Sequence, residues 1–358
     1  MPIASQRVPH SIGRALMVVA AAVVAVAAVV VAADGGETFS SSGSYIMKRQ
    51  TTVIPLMLAT LLYAMPPVPA LSQQPTDMVE YRAATPSPKF DSPELALDKL
   101  KSVLGSNNID DLAALLGLKP DKLRASNEAT IAYGLIREGA ERQAILRDSD
   151  GMKIVAIGDR LWPLPFPLTA GRDGKWSFDT ERGLEEIVNR RIGENELATI
   201  DTMHEYVSAQ YQYASEDRDG DGIYEFAKKL ISSPGKLDGL YWDPNVYPEE
   251  SPASTLVETA AFGAAKRGEG YFGYRYRILT SQGDNVLGGK QSYLVNGYMT
   301  GGVALIAWPV KYRVTGVQTF IVNGSSVIYQ RDLGPKTEER AAAIKEFNPD
   351  ANWSVVSD

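Results

Sequence analysis

The stretch SEDRDGDGIYEFAKK, residues 215–229, places carboxylates at every second position: Asp217, Asp219 and Asp221, followed by Gly222. Alternate acids closed by a glycine suit a tight cation-binding loop, because a sharp turn points every second side chain inward. Calcium takes roughly 6–8 oxygens, and loops of the EF-hand kind supply them from positions 1, 3, 5, 7 and 9 and a bidentate glutamate at 12. Counted from Asp217, Ile223 falls at position 7, where a backbone carbonyl suffices, and Glu225 at position 9. Position 12 is Lys228, which removes two ligand atoms and adds a positive charge. The expected ligand set for Ca2+ is therefore Asp217, Asp219, Asp221, Ile223 and Glu225, weakened at its last position. The competing reading is a solvated turn in which the aspartates bond to nearby backbone amides.

Few other residues suggest covalent chemistry. The chain has no cysteine, which excludes disulfides, thiol catalysis and Cys-bound zinc. Of its two histidines, His10 and His204, the second stands between Ile200 and Val207 at helical spacing, a core position. Ser233-Pro234-Gly235-Lys236 has the form Ser-x-x-Lys, but that motif acts from a helical turn, and Pro-Gly favours a reverse turn. The glycine-bearing runs GEGYFG and LGGK lack the strand–loop–helix context of a phosphate cradle. In YFGYRYRIL (271–279), Phe272, Tyr274, Tyr276 and Ile278 alternate with Tyr271, Gly273, Arg275 and Arg277. One face is thus aromatic and the other shows two arginines. Tyr271 and Trp308 are suited to hold a sugar or a peptide, although tyrosines at period two also build cores. No residue pair reads as nucleophile and base, so no catalytic residue is assigned.

These residues need elements to position them. With 44% hydrophobic and 22% charged residues the chain is globular, and its net charge of −7 with no basic stripe argues against nucleic-acid binding. Its 358 residues suggest two domains. In the first, residues 91–192, Ser92 caps and Pro93 opens a helix whose Ala96, Leu100, Val103 and Leu104 share a face; Gly105 ends it. Helices over 109–116 and about 126–138 follow. Short strands come next, at 153–158 and within 162–180 around the turn Arg172-Asp173-Gly174. Pro163, Pro165 and Pro167 mark a sheet edge or an extended arm, since proline cannot donate to a ladder.

In the second domain, residues 193–346, a helix over 196–214 capped by Asn195 carries Leu197, Ile200, His204, Val207, Tyr211 and Ala214 on one face. YEFAKKLI gives a short helix after the acidic loop. VALIAWPV (303–310) is apolar on both faces and belongs in the middle of a sheet. Residues 316–334 form a hairpin turning at Asn323-Gly324. A surface helix over 336–347 precedes a tail, 347–358.

Ahead of both domains lie two export-like segments. Residues 15–33 are a continuous apolar run behind Arg7 and Arg14. From Met47, the basic pair Lys48-Arg49, an apolar core and Ala70-Leu71-Ser72 have the order of a signal peptide. Residues 1–72 are read as an export leader with Met47 as the natural start; the rival is a membrane anchor over 15–33. Residues 73–90, polar and proline-bearing, read as a linker.

The run GYRYRILTSQG, with SYLVNGYMTGGVALIAWPVKYRVTGVQTFIVN and VIYQRDLG after it, resembles the C-terminal signature of a secreted bacterial family, domain of unknown function 2950. WPLPFPL, GKWSFDTERGLEEIVNRRIGENEL and LISSPGKLDGLYW resemble its middle. The likeness covers about residues 90–355 and implies no activity. Helices followed by a sheet ending in DGKWSF are similar to the nuclear-transport-factor-like cone. The helix with HEYVSAQYQYA, then GYRYRI, then TGVQTFIVN, looks like the head of type IV pilins and type II secretion pseudopilins. The prepilin peptidase site and the continuous apolar stalk of those proteins are missing here. The expected fold is thus α+β, a nuclear-transport-factor-like cone followed by a pilin-like helix on an antiparallel meander. The expected function is that of an exported, periplasmic or secreted, non-enzymatic binding or assembly module. Its partner is an envelope protein or a small ligand, with no nucleic acid and membrane contact only through an uncleaved leader. The alternative is a periplasmic enzyme or small-ligand carrier using a pocket in the first domain.

Overall fold

The computed structural model describes residues 78–254 and 259–357. The expected leader, the choice of Met47 and the start of the linker lie outside the described residues. The architecture is α+β: helices combined with antiparallel sheets. No described helix is long and apolar enough to cross a membrane.

The first half opens with four helices: α1 (Pro93–Gly105), α2 (Ile109–Leu116), α3 (Pro120–Ala125) and α4 (Asn127–Arg142). Their starts follow local chemistry. Ser92, Asn108 and Ser126 each accept a bond from a first-turn amide, of Leu95, Asp110 and Ala129, satisfying donors the helix leaves free. Gly117 closes α2 in the left-handed conformation. A sheet follows from β1 (Ala144–Ser149), β2 (Met152–Ile157), β3 (Trp162–Pro163), β4 (Leu168–Ala170) and β5 (Trp176–Phe178), in the order β1-β2-β4-β5 with β3 also on β2. The proline arm lies against this sheet, where Leu164 donates to Val155 O at 2.8 Å. Residues 78–90, expected as linker, instead pack on the first half. Met78 and Tyr81 are buried in its core, and Phe90 exchanges both backbone bonds with Trp176.

The largest difference from expectation is α5 (Thr180–Tyr213), one helix of 34 residues capped by Asp179. The domain boundary expected at 192/193 falls inside it. Asn195, expected as a cap, is mid-helix and donates to Thr315 O at 2.8 Å. Leu184, Ile187 and Val188 enter the first core; Met203, Tyr206, Val207, Ala209 and Tyr213 enter the second. The buried face is also rotated from the expected one: Leu197 is 65% and Tyr211 54% exposed. Gln210 is fully buried in their place, because its amide is bonded at both ends.

Between the two cores, burial pushes the Glu194 carboxyl up to about 7 against the pull of Arg190. The folded protein therefore keeps a proton that the unfolded chain releases near the ordinary value of 4.5. Stability should fall as pH rises from 4.5 to about 7 and level off above. Thermal midpoints across this range should lose that slope in Glu194→Gln; an unchanged slope would remove Glu194 as its source.

The second half holds α6 (Thr259–Lys266) and the strands β6 (Tyr274–Leu279), β7 (Ser281–Gln282), β8 (Gln291–Ser292), β9 (Leu294–Val295), β10 (Tyr298–Met299), β11 (Ala304–Pro309), β12 (Gln318–Asn323) and β13 (Ile328–Asp332). Helix α7 (Thr337–Ala343) and β14 (Ser354–Val355) complete it. The main sheet runs β14-β13-β12-β11-β6, antiparallel throughout. β11 is an interior strand, paired on both sides but next to the edge strand β6 rather than at the centre, and is buried along its whole length, as its apolar sequence requires. The hairpin at Asn323-Gly324 forms, but with a longer loop: Val322 pairs with Ile328, and Ser326 takes the left-handed conformation. The expected tail is part of the fold, since Phe347 is buried and Ser354 pairs with Gln330.

Candidate functional site

The acidic loop leaves the end of α5. Asp217, Asp219 and Asp221 come together with one oxygen of each within 4.8 Å of the others. Asp217 accepts from Gly220 N (2.8 Å) and Gly222 N (2.9 Å), bonds that hold its carboxyl below the usual range, and Asp221 accepts from Ile223 N at 2.8 Å. Tyr298 bonds to Asp221, which raises the phenol's pKa. Glu225 is drawn elsewhere: it pairs with Lys228 at 2.9 Å and accepts from Met299 N at 2.8 Å. Lys228, at position 12, thus engages the residue at position 9. The exit helix expected over YEFAKKLI does not form; these residues run as irregular chain, tied by Ala227 to Gln210 and by Phe226 N to Met299 O. Of the expected set, the three aspartates meet, while both Glu225 oxygens are engaged outside their group. Three carboxylates fit part of a calcium shell, with the remaining oxygens left to backbone or water.

The other candidates resolve into structural contacts. Ser233 lies beside Lys229 (2.6 Å) and Asp238 (3.1 Å) rather than Lys236, and Lys229 and Asp238 are an ion pair at 2.7 Å. Burial opposes ionisation of Asp238, but Lys229 and the amide and hydroxyl of Ser233 outweigh it and hold its pKa at about 2. Lys229 is thus held by a carboxylate, and Ser233 by the same pair. His204 Nδ1 lies 3.0 Å from Ser326 Oγ, pinning the β12–β13 loop to α5. Among the described residues no carboxylate orients its other ring nitrogen, as the serine–histidine arrangement requires.

The aromatic strand opens onto a cleft of about 430 Å³. Its walls include Tyr241 and Phe262, with rings 5.4 Å apart, and Tyr271 and Tyr276, 6.2 Å apart. Trp308, Arg275, Leu240, Leu305 and Tyr206 also line it. The polar ends of several walls are already used. Tyr276 OH donates to Thr199 Oγ1 (3.2 Å), Tyr206 OH to Ala304 O (3.2 Å) and Trp308 Nε1 to Glu338 (2.8 Å), which also pairs with Arg275 at 2.7 Å. Burial raises the pKa of both Tyr206 and Tyr276, so these phenols stay neutral. The wall groups are thus set for apolar and aromatic contact, with no nucleophile poised against a base. Sequence reasoning singled out Tyr271 and Trp308; it missed Tyr241 and Phe262, which come from irregular chain and from α6. In the first half the core is nearly filled, since the void lined by Tyr81, Leu112, Leu116, Tyr133 and Phe166 measures about 50 Å³, and a more polar groove of about 420 Å³ lies between the proline arm and Arg182, Glu186 and Arg190.

The family model described as "protein of unknown function (DUF2950)" matches residues 87–356. No curated protein and no solved structure matches the chain.

Proposed function

Since the chain belongs to the DUF2950 family over residues 87–356, a family whose description assigns no activity, we propose that it is an exported, non-enzymatic binding module that takes its ligand in the aromatic cleft. The carrying observation is that cleft of about 430 Å³, apolar-walled and with its polar ends tied off. Export rests on the basic–apolar–small order of residues 47–72, which directs the body to the periplasm or beyond. The reading divides the chain into a first, nuclear-transport-factor-like half and a second, pilin-like half. In its favour, the second half sets the end of a long helix on an antiparallel sheet whose strands β11 to β14 follow one another as a meander. A carrier pocket inside the core of the first half is disfavoured by its small void; the alternative carrier would use the groove of about 420 Å³ between the proline arm and Arg182, Glu186 and Arg190.

The dye 1-anilinonaphthalene-8-sulfonate should brighten with the folded protein and lose at least about threefold of that signal with Phe262→Ser. Equal brightening in both would place the dye elsewhere and sink the reading. Labelling of Ser326 by a fluorophosphonate would overturn its non-enzymatic part.

The acidic loop is a second element of the proposal, as a weak Ca2+ site that stiffens the chain after α5. Calcium should raise the unfolding midpoint of residues 73–358 by linkage. Magnesium should not, and the Asp219→Ala, Asp221→Ala double variant should show no rise. No shift at millimolar calcium would make the loop an acidic turn alone.

A further inference from the structure

The cleft lies along an open stretch of sheet edge. β6 pairs with β11 on one side only, in the register Tyr274↔Pro309 to Leu279↔Ala304. Val310 N donates to Gly273 O, which extends that register by one residue and fixes which backbone groups point where. In an antiparallel ladder alternate residues bond to the partner and the residues between them point away. Gly273, Arg275, Arg277 and Leu279 therefore face β11. Tyr274, Tyr276, Ile278 and Thr280 send their N–H and C=O to the outer edge.

The chain closes this outer edge at both ends. Tyr274 exchanges both backbone bonds with Tyr271 across a two-residue turn, in which Phe272 (φ 50°) and Gly273 (φ 71°) are both left-handed. Thr280 O accepts from Tyr293 N at 2.8 Å. Between these closures stand Tyr276 and Ile278, whose four outward backbone groups have no partner among the described residues. The result is a gap in an otherwise completed edge, opening beside Tyr271 and Tyr276 where they line the cleft.

Only one kind of occupant matches this gap. Two donors and two acceptors repeating at every second residue are complementary to an extended polypeptide, whose own alternate N–H and C=O groups share that spacing. A strand laid there sends alternate side chains toward the aromatic walls. Arg275 lines the cleft, and Lys266, Arg267 and Glu269 are chain neighbours of its wall residues Ala265, Gly268 and Gly270, while Glu338 pairs with Arg275. The acids pair with Arg267 (2.9 Å) and Arg275 (2.7 Å). Lys266 lies 4.6 Å over the Phe262 ring and has no carboxylate partner among the described residues. In a chain of net charge −7, this local cation calls for an acidic residue on the ligand.

We infer that the cleft binds an extended peptide, which completes the sheet edge at Tyr276 and Ile278, buries an apolar side chain among the aromatic rings and carries an acidic residue beside it. This rests on the binding role proposed above and names its ligand class.

The first test needs no ligand. In dilute monomeric protein, the Tyr276 and Ile278 amides should exchange with solvent at least about tenfold faster than those of Arg275 and Arg277. Equal protection would mean the edge is already covered, and the inference falls. The second test selects a displayed library of random heptapeptides on the wild-type protein and on Ile278→Pro, which removes an outward N–H without touching the β11 ladder. Sequences retained by wild type alone should alternate apolar residues and contain an acid. A synthetic copy should slow exchange at Tyr276 and Ile278. N-methylation of the copy at alternate residues should weaken it about tenfold or more in one parity and not in the other, a readout independent of how well the proline variant folds. Peptides insensitive to N-methylation parity would overturn the inference. So would protection of the two amides by self-association alone, which would make a second copy the occupant. Dye binding in the cleft without peptide enrichment would sink the strand and leave the binding module standing; loss of both would sink both.

Discussion

Replacing Gln210 by leucine is expected to cost about 3 kcal/mol of stability, although it swaps a polar core residue for an apolar one. The side chain is fully buried and its amide works in both directions. Oε1 accepts from Ala227 N at 2.8 Å, and Nε2 donates to Ala227 O at 3.0 Å and Tyr206 OH at 3.1 Å. Ala227 is itself buried, so leucine leaves a backbone donor and acceptor without partners. Each such group costs roughly 1–3 kcal/mol, while the added apolar burial returns only about 1. In a chain of this size the thermal midpoint should drop by roughly 4–5 °C. Tyr206 keeps its bond to Ala304 O, so the loss should concentrate on the segment around Ala227 and show there first as faster amide exchange. A variant within about 0.5 kcal/mol of wild type would mean that this amide does not anchor the chain after the acidic loop.

Gly183→Ala should be the other large effect, with a sign opposite to what helix propensity dictates. In an exposed helix interior, alanine in place of glycine gains about 1 kcal/mol. At Gly183 in α5 a Cβ would lie 2.0 Å from Phe166 Cδ1 and 2.4 Å from its Cε1. Phe166, itself part of the proline arm, is buried in the first core, so its ring has little room to yield. Either α5 moves off the arm or the ring leaves its place. Overpacking of this kind costs typically about 1–3 kcal/mol, and this overlap belongs at the upper end. Paired with Phe166→Leu, the substitution should recover part of the loss; a double variant no better than the additive expectation would remove the contact as the cause. A Gly183→Ala protein more stable than wild type would show that the arm sits elsewhere.

The parts of this fold legible in the sequence are those set by near neighbours. Ser92 with Pro93, Asn108 and Gly117 mark helix ends through bonds within a few residues of each end. β11 is announced by its unbroken apolar run. What was not legible depends on distant partners. The first half of α5 was missed because Gly183, the Arg190-Arg191 pair and Gly193 interrupt the apolar period; Gly183 and the arginines are explained only by remote contacts, with Phe166 for the glycine and with Pro163 O and Val314 O for the arginines. The rotated face of α5 was hidden for the same reason: Gln210 is buried only because Ala227 waits 17 residues on. At the site, the aspartates and the aromatic alternation could be read directly. The cleft could not, because it needs Phe262 and Tyr241 brought to β6, and an open edge is a property of pairing between residues 274–279 and 304–309.

Because α5 serves both cores, the two halves are set by counting, as on a screw. A residue inserted near Gly193 would advance everything beyond it by ~1.5 Å and turn it by about 100°. Gly183 would keep its place against Phe166, while Asn195 and Glu196 would swing away from Thr315, Val317 and Gln318, which they now hold at 2.7–2.9 Å. Seven inserted residues would restore the phase to within ~20° but lengthen the shaft by about 10 Å. Neither change leaves both ends seated, so the length of this helix between its two sets of contacts is a fixed dimension of the molecule.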